Sequence, residues 1–354
     1  MNETRNRRLA SGQAVSLRLR ISSFPNTPSG RGEFRVLKSW ADPTSMTASR
    51  YNRWLHGYAV FVVCATFLLI VAGALVTGND AGLSVPDWPT SFGSFRMPRM
   101  VGGVKYEHGH RMIAGEVGIL TVILALWIWR REPRRWVRRL GGAAVLGIVV
   151  QAMLGGITVL LYLPVTISVS HACLAQLFFC IAVSLALFTG RGWRWDDTEF
   201  EDTSNPSLRR LSVATTALVF IQLLLGAAFR HHGFGIVPHI LVAGLVTIGV
   251  LWLLARVLSE FRSQPQLKRA ASLVSGLLVL QVFLGIVSYV MLLSARNAPQ
   301  PLPSIVAVTT THVAVGALVL ASSLLLTLKV YRYVGDPGRA LAAPAMSAAG
   351  EASP

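Results

Sequence analysis

The chain has 354 residues, 53% of them hydrophobic and only 14% charged, well below the roughly 25% charged residues of a soluble domain. The deficit lies in long apolar blocks between short arginine-rich connectors, which excludes an ordinary soluble fold and indicates a multi-span membrane protein. The net charge of +17 therefore reads as orientation in the bilayer and not as nucleic-acid binding, because the arginines sit between the spans.

Residues 1–50 are rich in Arg, Ser and Pro and lack an apolar run, so the expectation is a disordered basic tail, or an over-extended start with Met46 as the first residue. Eight spans follow, at about 58–77, 107–129, 140–163, 165–189, 211–229, 236–255, 270–295 and 305–328. Each is near the ~20 residues needed to cross the hydrocarbon. Only a turn at Pro164 separates spans three and four, which predicts a tight antiparallel hairpin. The last segment, 336–354, is expected to be a disordered tail.

Connectors set the orientation. The second-to-third is dense in arginine (Arg130, Arg131, Arg134, Arg135, Arg138 and Arg139). Arg191, Arg194, Arg209 and Arg210 flank the fourth-to-fifth, offset by acids at 196–202. Arg256, Arg262, Lys268 and Arg269 mark the sixth-to-seventh. The positive-inside rule then makes both termini cytoplasmic. The longest outer loop, 78–106, is a candidate lid over an outward-facing site. Cys64, Cys173 and Cys180 all lie in apolar blocks without CxxC spacing and read as small apolar fillers.

The chain also repeats itself. His110-Arg-Met-Ile-Ala-Gly115 in span two matches His239-Ile-Leu-Val-Ala-Gly244 in span six, 129 residues on. Gln151-Ala-Met-Leu-Gly155 in span three matches Gln281-Val-Phe-Leu-Gly285 in span seven, and Gln222-Leu-Leu-Leu-Gly226 in span five carries the same pattern. His171 and His312 then correspond. Two four-helix halves of equal polarity follow, related by an axis along the membrane normal. The expected architecture is an all-α membrane protein of eight transmembrane helices in two duplicated four-helix bundles, 51–190 and 209–335, joined by a cytoplasmic linker at 191–208.

Of the eight histidines, His56, His108, His231 and His232 fall at span edges or in loops and read as solvated residues. His110, His171, His239 and His312 each lie just inside the outer end of an even-numbered span. A small residue follows each by four positions (Ala114, Ala175, Ala243 and Gly316) and leaves room on that face for a flat, bulky group. A lone intramembrane histidine is ordinarily a packing partner. Four at one depth, paired by the repeat, point instead to imidazoles gripping heme iron from two sides. Zinc or copper would want further ligands converging on one point.

The halves are not identical. Glu107 shares a helix face with His110 and has no counterpart in the second half. It is a candidate acid–base group beside one heme or, equally, a helix-start acid favoured by the macrodipole. Glu116, deeper in span two, has no assigned role. Arg111 and Arg230, at the outer boundary, are candidates for heme propionates or for snorkelling.

Taken together, Gly73-Ala-Leu-Val-Thr77, Gly82-Leu83, Pro86-Asp87-Trp88-Pro89, Glu107-x-x-His110-Arg111, Gln151-x-x-Leu154-Gly155-Gly156-x-Thr158-Val159, His171, His239 and His312 resemble the heme A synthase family over about residues 55–335. The resemblance implies a multi-pass bacterial inner-membrane enzyme that oxidises the C8 methyl of heme O to the formyl of heme A for cytochrome c oxidase biogenesis. It implies substrate heme O between His110 and His171, cofactor heme b between His239 and His312, and Glu107 as the catalytic group. It also implies heme O synthase and oxidase assembly proteins as partners, a lipid environment and a possible homo-oligomer. Many bacterial members carry a cysteine pair in the first outer loop; residues 78–106 have none, which leaves a thiol relay without its residues. The alternative is a non-catalytic diheme b-type electron-transfer membrane protein. A transporter would carry no iron chromophore, and a heme O synthase would need aspartate-rich magnesium sites that scattered Asp80 and Asp87 do not provide.

Overall fold

The computed structural model describes residues 51–193 and 200–335. The expectations for the two tails, and for Arg194 and the acids at 196–199, lie outside the described residues. Among the described residues eight helices are long and apolar enough to cross a membrane: α1 (Arg53–Gly78), α2 (Val104–Arg131), α3 (Arg135–Leu160), α4 (Val165–Thr189), α5 (Leu208–Arg230), α6 (Ile236–Glu260), α7 (Pro265–Ser294) and α8 (Pro303–Tyr333). A single 3-10 turn, Arg191–Trp193, follows α4. No strand forms among the described residues beyond two isolated bridges. The protein is an all-helical, multi-pass membrane protein.

Local chemistry sets the helix ends. The Asn52 side chain accepts the Trp54 and Leu55 amides at the start of α1, both at 3.1 Å, and prolines open α7 and α8, where a missing N–H costs nothing. The span expected to reach residue 163 stops at Leu160. Tyr162 and Leu163 turn to φ of 58° and 61°, and the Leu163 amide returns to the Thr158 carbonyl at 2.7 Å, closing the helix before Pro164. The predicted tight hairpin is there, and positive φ on two bulky residues is its strain. Odd helices α1 and α5 end in the same way, with positive φ at Asp80 and His232 and amides folding back from Ala81 to Val76 and from Gly233 to Ala228.

Neighbour packing closes two rings, α1–α2–α3–α4 and α5–α6–α7–α8, that meet through α1, α4, α5 and α8. Helices α2 and α4 thus stand diagonally across one ring, and α6 and α8 across the other. The inner position of α4 and α8 shows in burial: 67% and 56% of their spans are buried within the protein, against 11–28% for the other six. Their contact is built on Phe179 and Val183 against Ala317 and Ala321, small residues that let helices approach closely where lipid supplies no hydrophobic drive.

Two connectors use charge as internal fastening. Buried Glu132 accepts the Arg134 Nε and Nη2 at 2.7 and 3.1 Å, and Arg134 also reaches the Phe188 carbonyl at 2.6 Å, pinning the α2–α3 turn to α4. Arg256, read from the sequence as an orientation charge, is buried. It meets Asp202 at 3.4 Å and Glu260 at 2.6 Å, so it ties the segment before α5 to α6.

Candidate functional site

The four singled-out histidines stand on diagonal helices: His110 on α2 and His171 on α4, His239 on α6 and His312 on α8. In the second ring the two imidazoles are neighbours, centroids 6.4 Å apart and planes at 72°. An imidazole nitrogen sits about 2 Å from a bound first-row metal and about 1 Å from its own ring centre, so two rings holding one iron end-on have centroids about 6 Å apart. The observed spacing fits. His110 and His171 lie within electrostatic reach of each other in the first ring.

Each imidazole edge rests against a glycine on the preceding odd helix. A methyl group built on Gly73, Gly155, Gly226 or Gly285 would stand 3.2, 3.1, 2.9 or 3.0 Å from Cε1 of His110, His171, His239 or His312 respectively. The repeat is therefore fourfold, an odd–even helix hairpin offering one glycine and one histidine. Three hairpins add a glutamine one turn before the glycine. Gln222 Nε2 is 3.1 and 3.2 Å from the two ring nitrogens of His239. Gln281 Nε2 is 3.3 Å from His312 Nε2, and Gln151 Nε2 donates to the His171 carbonyl at 2.9 Å. The Nδ1 atoms of His110, His171 and His312, and the Oε1 atoms of Gln151, Gln222 and Gln281, are buried with no partner. Among the described residues no three His, Cys, Asp or Glu converge as a protein-only metal cluster would require. Two imidazoles at the His239–His312 spacing suit a porphyrin iron better than such a cluster.

Over the first ring lies the outer loop. Glu107, at 3% exposure, accepts the Val85 amide at 2.7 Å on Oε2 and Arg111 Nη2 at 2.5 Å on Oε1. Arg111 also donates to the carbonyls of Val85, Asp87 and Thr90 at 2.9, 2.6 and 3.1 Å. Asp87 in turn gathers the Phe92 and Gly93 amides at 2.7 and 2.8 Å and the Thr90 hydroxyl. The Thr90 hydroxyl, then the Gly93 amide, hold its carboxyl down at about 2. Trp88 lies on Gly156 of α3, where a methyl would meet the indole at 2.6 Å. At the junction between the rings, Arg230 comes beside Gly78 and near Thr310. Asp80 and His231 are its electrostatic neighbours.

Residues 104–238 match the model of a family described as cytochrome oxidase assembly protein. This stretch carries Glu107, His110 and His171 and ends one residue before His239. Several relatives are named heme A synthase. One from Lysinibacillus sphaericus is 29% identical over 51% of this chain and 60% of its own length. One from Halalkalibacterium halodurans is 33% identical over 38% and 44%, and one from Symbiobacterium thermophilum 27% over 62% and 80%. The chain is similar to these heme A synthases over the stretches matched. It spans less than two thirds of the length of the first of these relatives.

Several sequence expectations change with this geometry. All four terminal N–H groups of Arg111 are spent on Glu107 and the loop, so Arg111 fastens the lid and has no fork left for a propionate. Arg230 keeps that candidacy. The space above His312 left by Gly316 is taken by the Gln281 amide, 3.1 Å from a methyl built there, not left for a flat group. Of the edge histidines read as solvated, His56 bonds the Ala186 carbonyl at 3.1 Å and His108 the Ser91 hydroxyl at 2.9 Å. Cys173 and Cys180 are buried fillers as expected, whereas Cys64 is exposed. Glu116 is exposed, and the structure adds no role for it. The cradle glycines were missed as site residues; the recurrence of QxxLG on spans three, five and seven was the available signal.

Proposed function

We propose that the protein is a heme A synthase, oxidising the C8 methyl of heme O to a formyl group for cytochrome c oxidase biogenesis in the bacterial inner membrane, with both termini cytoplasmic. The observation that carries this is the pair of imidazoles, His239 and His312, at a 6.4 Å spacing that would let both hold one heme iron, within a hairpin plan that repeats across both rings. In this reading residues 209–335 hold a heme b cofactor between His239 and His312, and residues 51–190 hold substrate heme O between His110 and His171. When bound, heme b would supply a one-electron relay.

Converting a methyl to a formyl is a four-electron oxidation: with the oxygen counted as entering from water, one water is taken up and four electrons and four protons leave. Two hydroxylations of the same carbon followed by loss of water achieve it. The chain's own contributions are four. The imidazoles orient the two porphyrins. Trp88 and the Glu107–Arg111–Asp87 loop cover the first ring and keep bulk water out. Glu107, the carboxylate on the His110 face of α2, takes the protons released near that ring. Arg230, beside the junction of the rings, is placed to meet a propionate with a charge-assisted fork.

Mass analysis of pigments extracted anaerobically from purified protein tests the reading. Heme A and a hydroxylated heme O should co-purify with it. Recovery of heme b alone would make it the diheme electron-transfer protein, and absence of any iron chromophore would remove both.

A further inference from the structure

The glutamine that recurs in three hairpins is absent from the fourth. Counting back one turn from each cradle glycine gives Gln151, Gln222 and Gln281 on α3, α5 and α7, but Leu69 on α1. Leu69 is buried and packs in the core of the first ring with Val117 of α2. It is thus an interior residue of that hairpin, standing where the others place an amide.

An imidazole that gives one nitrogen to a metal carries its proton on the other, and that N–H needs an acceptor in a buried site. In the α7–α8 hairpin Gln281 Oε1 and His312 Nδ1 are each buried and unpartnered, while Gln281 Nε2 lies 3.3 Å from the other ring nitrogen, His312 Nε2. A half-turn of the terminal amide would bring its oxygen, in place of its nitrogen, to His312 Nε2 as the acceptor of an N–H there. The α3–α4 hairpin has the same unused pair, Gln151 Oε1 and His171 Nδ1. The α5–α6 hairpin has the free Gln222 Oε1 beside a ring whose Nδ1 is 3.1 Å from Gln222 Nε2. In the α1–α2 hairpin only the imidazole is present. His110 Nδ1 is buried without a partner, and a leucine side chain accepts nothing.

We propose that Gln151, Gln222 and Gln281 are positioning residues that accept the outer N–H of His171, His239 and His312, and that Leu69 leaves His110 the weakly held, exchangeable ligand through which the first ring admits and releases its porphyrin. This rests on the assignment of the first ring to substrate. A cofactor pocket has glutamine support on both sides, Gln222 and Gln281. A pocket that must turn over has it on one side only, Gln151. Ligand basicity and orientation both fall when the outer acceptor is missing, at about 10- to 100-fold in metal affinity.

The test uses purified full-length protein loaded with heme b in both rings and follows transfer to excess apomyoglobin by absorbance. The wild type should release heme in two phases of equal amplitude, the fast one from the first ring. Leu69→Gln should slow the fast phase by about 10- to 100-fold and leave the slow one alone. Gln281→Leu should speed the slow phase by a similar factor and raise the midpoint potential of that heme, since its ligand donates less; Gln281→Glu, which keeps an acceptor oxygen, should restore both. Leu69→Met, which keeps the volume without an acceptor, should change neither phase. An unchanged fast phase in Leu69→Gln, an unchanged slow phase and potential in Gln281→Leu, or equal effects of Leu69→Met and Leu69→Gln would overturn the proposal while the heme assignment stands. A wild-type protein that takes up no heme overturns both.

Discussion

Gly226→Ala is the substitution for which the structure makes the sharpest demand. A methyl there would lie 2.9 Å from His239 Cε1 and 3.3 Å from Nδ1. Ordinary contact begins at 3.4 Å, so the imidazole must retreat by at least half an ångström. The Gln222 amide, 3.1–3.2 Å from both ring nitrogens, limits where it can go. Overpacking of this kind costs about 1–3 kcal/mol, which at 1.4 kcal/mol per decade is about a 5- to 150-fold loss in affinity for whatever His239 ligates. The assay is the ratio of heme to purified protein, with the reduced-minus-oxidised spectrum, beside a thermal melt to establish folding. Gly244→Ala, on the same helix as His239 but with nothing within 4 Å, is the control and should retain its heme. The other cradles extend the test, with the effect easing from Gly226 through Gly285 and Gly155 to Gly73 as the built methyl moves from 2.9 to 3.2 Å. Full heme content in a folded Gly226→Ala protein, or an equal loss in Gly244→Ala, would refute the cradle.

Three further outcomes follow from the outer loop and the ligands. Glu107→Gln should keep both hemes and lower heme A output by about 100-fold or more, the range of a lost general acid–base group; if Arg111→Gln lowers it equally, loop fastening and not proton transfer is the role of Glu107. His312→Ala should abolish the low-spin spectrum of the second ring while the first still binds heme O, read by difference spectra. For Asp87 the sign is fixed by a lowered value: its stabilisation of the loop is complete above its ordinary value of about 4 and is lost as pH falls through about 2. Protease cleavage within 78–106 should therefore be flat from pH 5 to 8, and Asp87→Ala should raise it throughout that range.

Much of the fold was readable because membrane spans are written in runs of apolar residues, and all eight were placed. The misjudged end, at residue 163, shows the limit: Leu161, Tyr162 and Leu163 are as apolar as the helix before them, and only backbone dihedrals reveal that the chain has turned. The histidines were legible through the repeat, since four imidazoles at equivalent points demand a shared cause. Their cradle was not. A glycine in a membrane helix signals close approach without naming what approaches, and the 2.9–3.2 Å clearances depend on how α1, α3, α5 and α7 pack against their partners. Arg111 was misread for a similar reason. Its sequence neighbours place it at the outer boundary, but its real partners are carbonyls 21 to 26 residues earlier in the chain, and loop geometry of that kind leaves no periodic trace.

Departures from the hairpin plan gather in one place. The α1–α2 hairpin is the one that substitutes leucine for glutamine, adds a buried carboxylate on its histidine face, and carries the long loop that Arg111 and Trp88 draw down over the ring. A single such difference could be drift between repeats. Three in one hairpin have a common physical consequence, since each alters the exchange of matter or protons at His110: the missing amide loosens a ligand, the carboxylate can hold a proton, and the loop decides when water has access. The hairpins that keep the plan unaltered, α5–α6 and α7–α8, make up the second ring, where the permanently held heme of our proposal would need tight ligands and no gate. On this reasoning, grafting glutamine at Leu69 should cost turnover without costing heme binding, because it would make the first ring resemble the second.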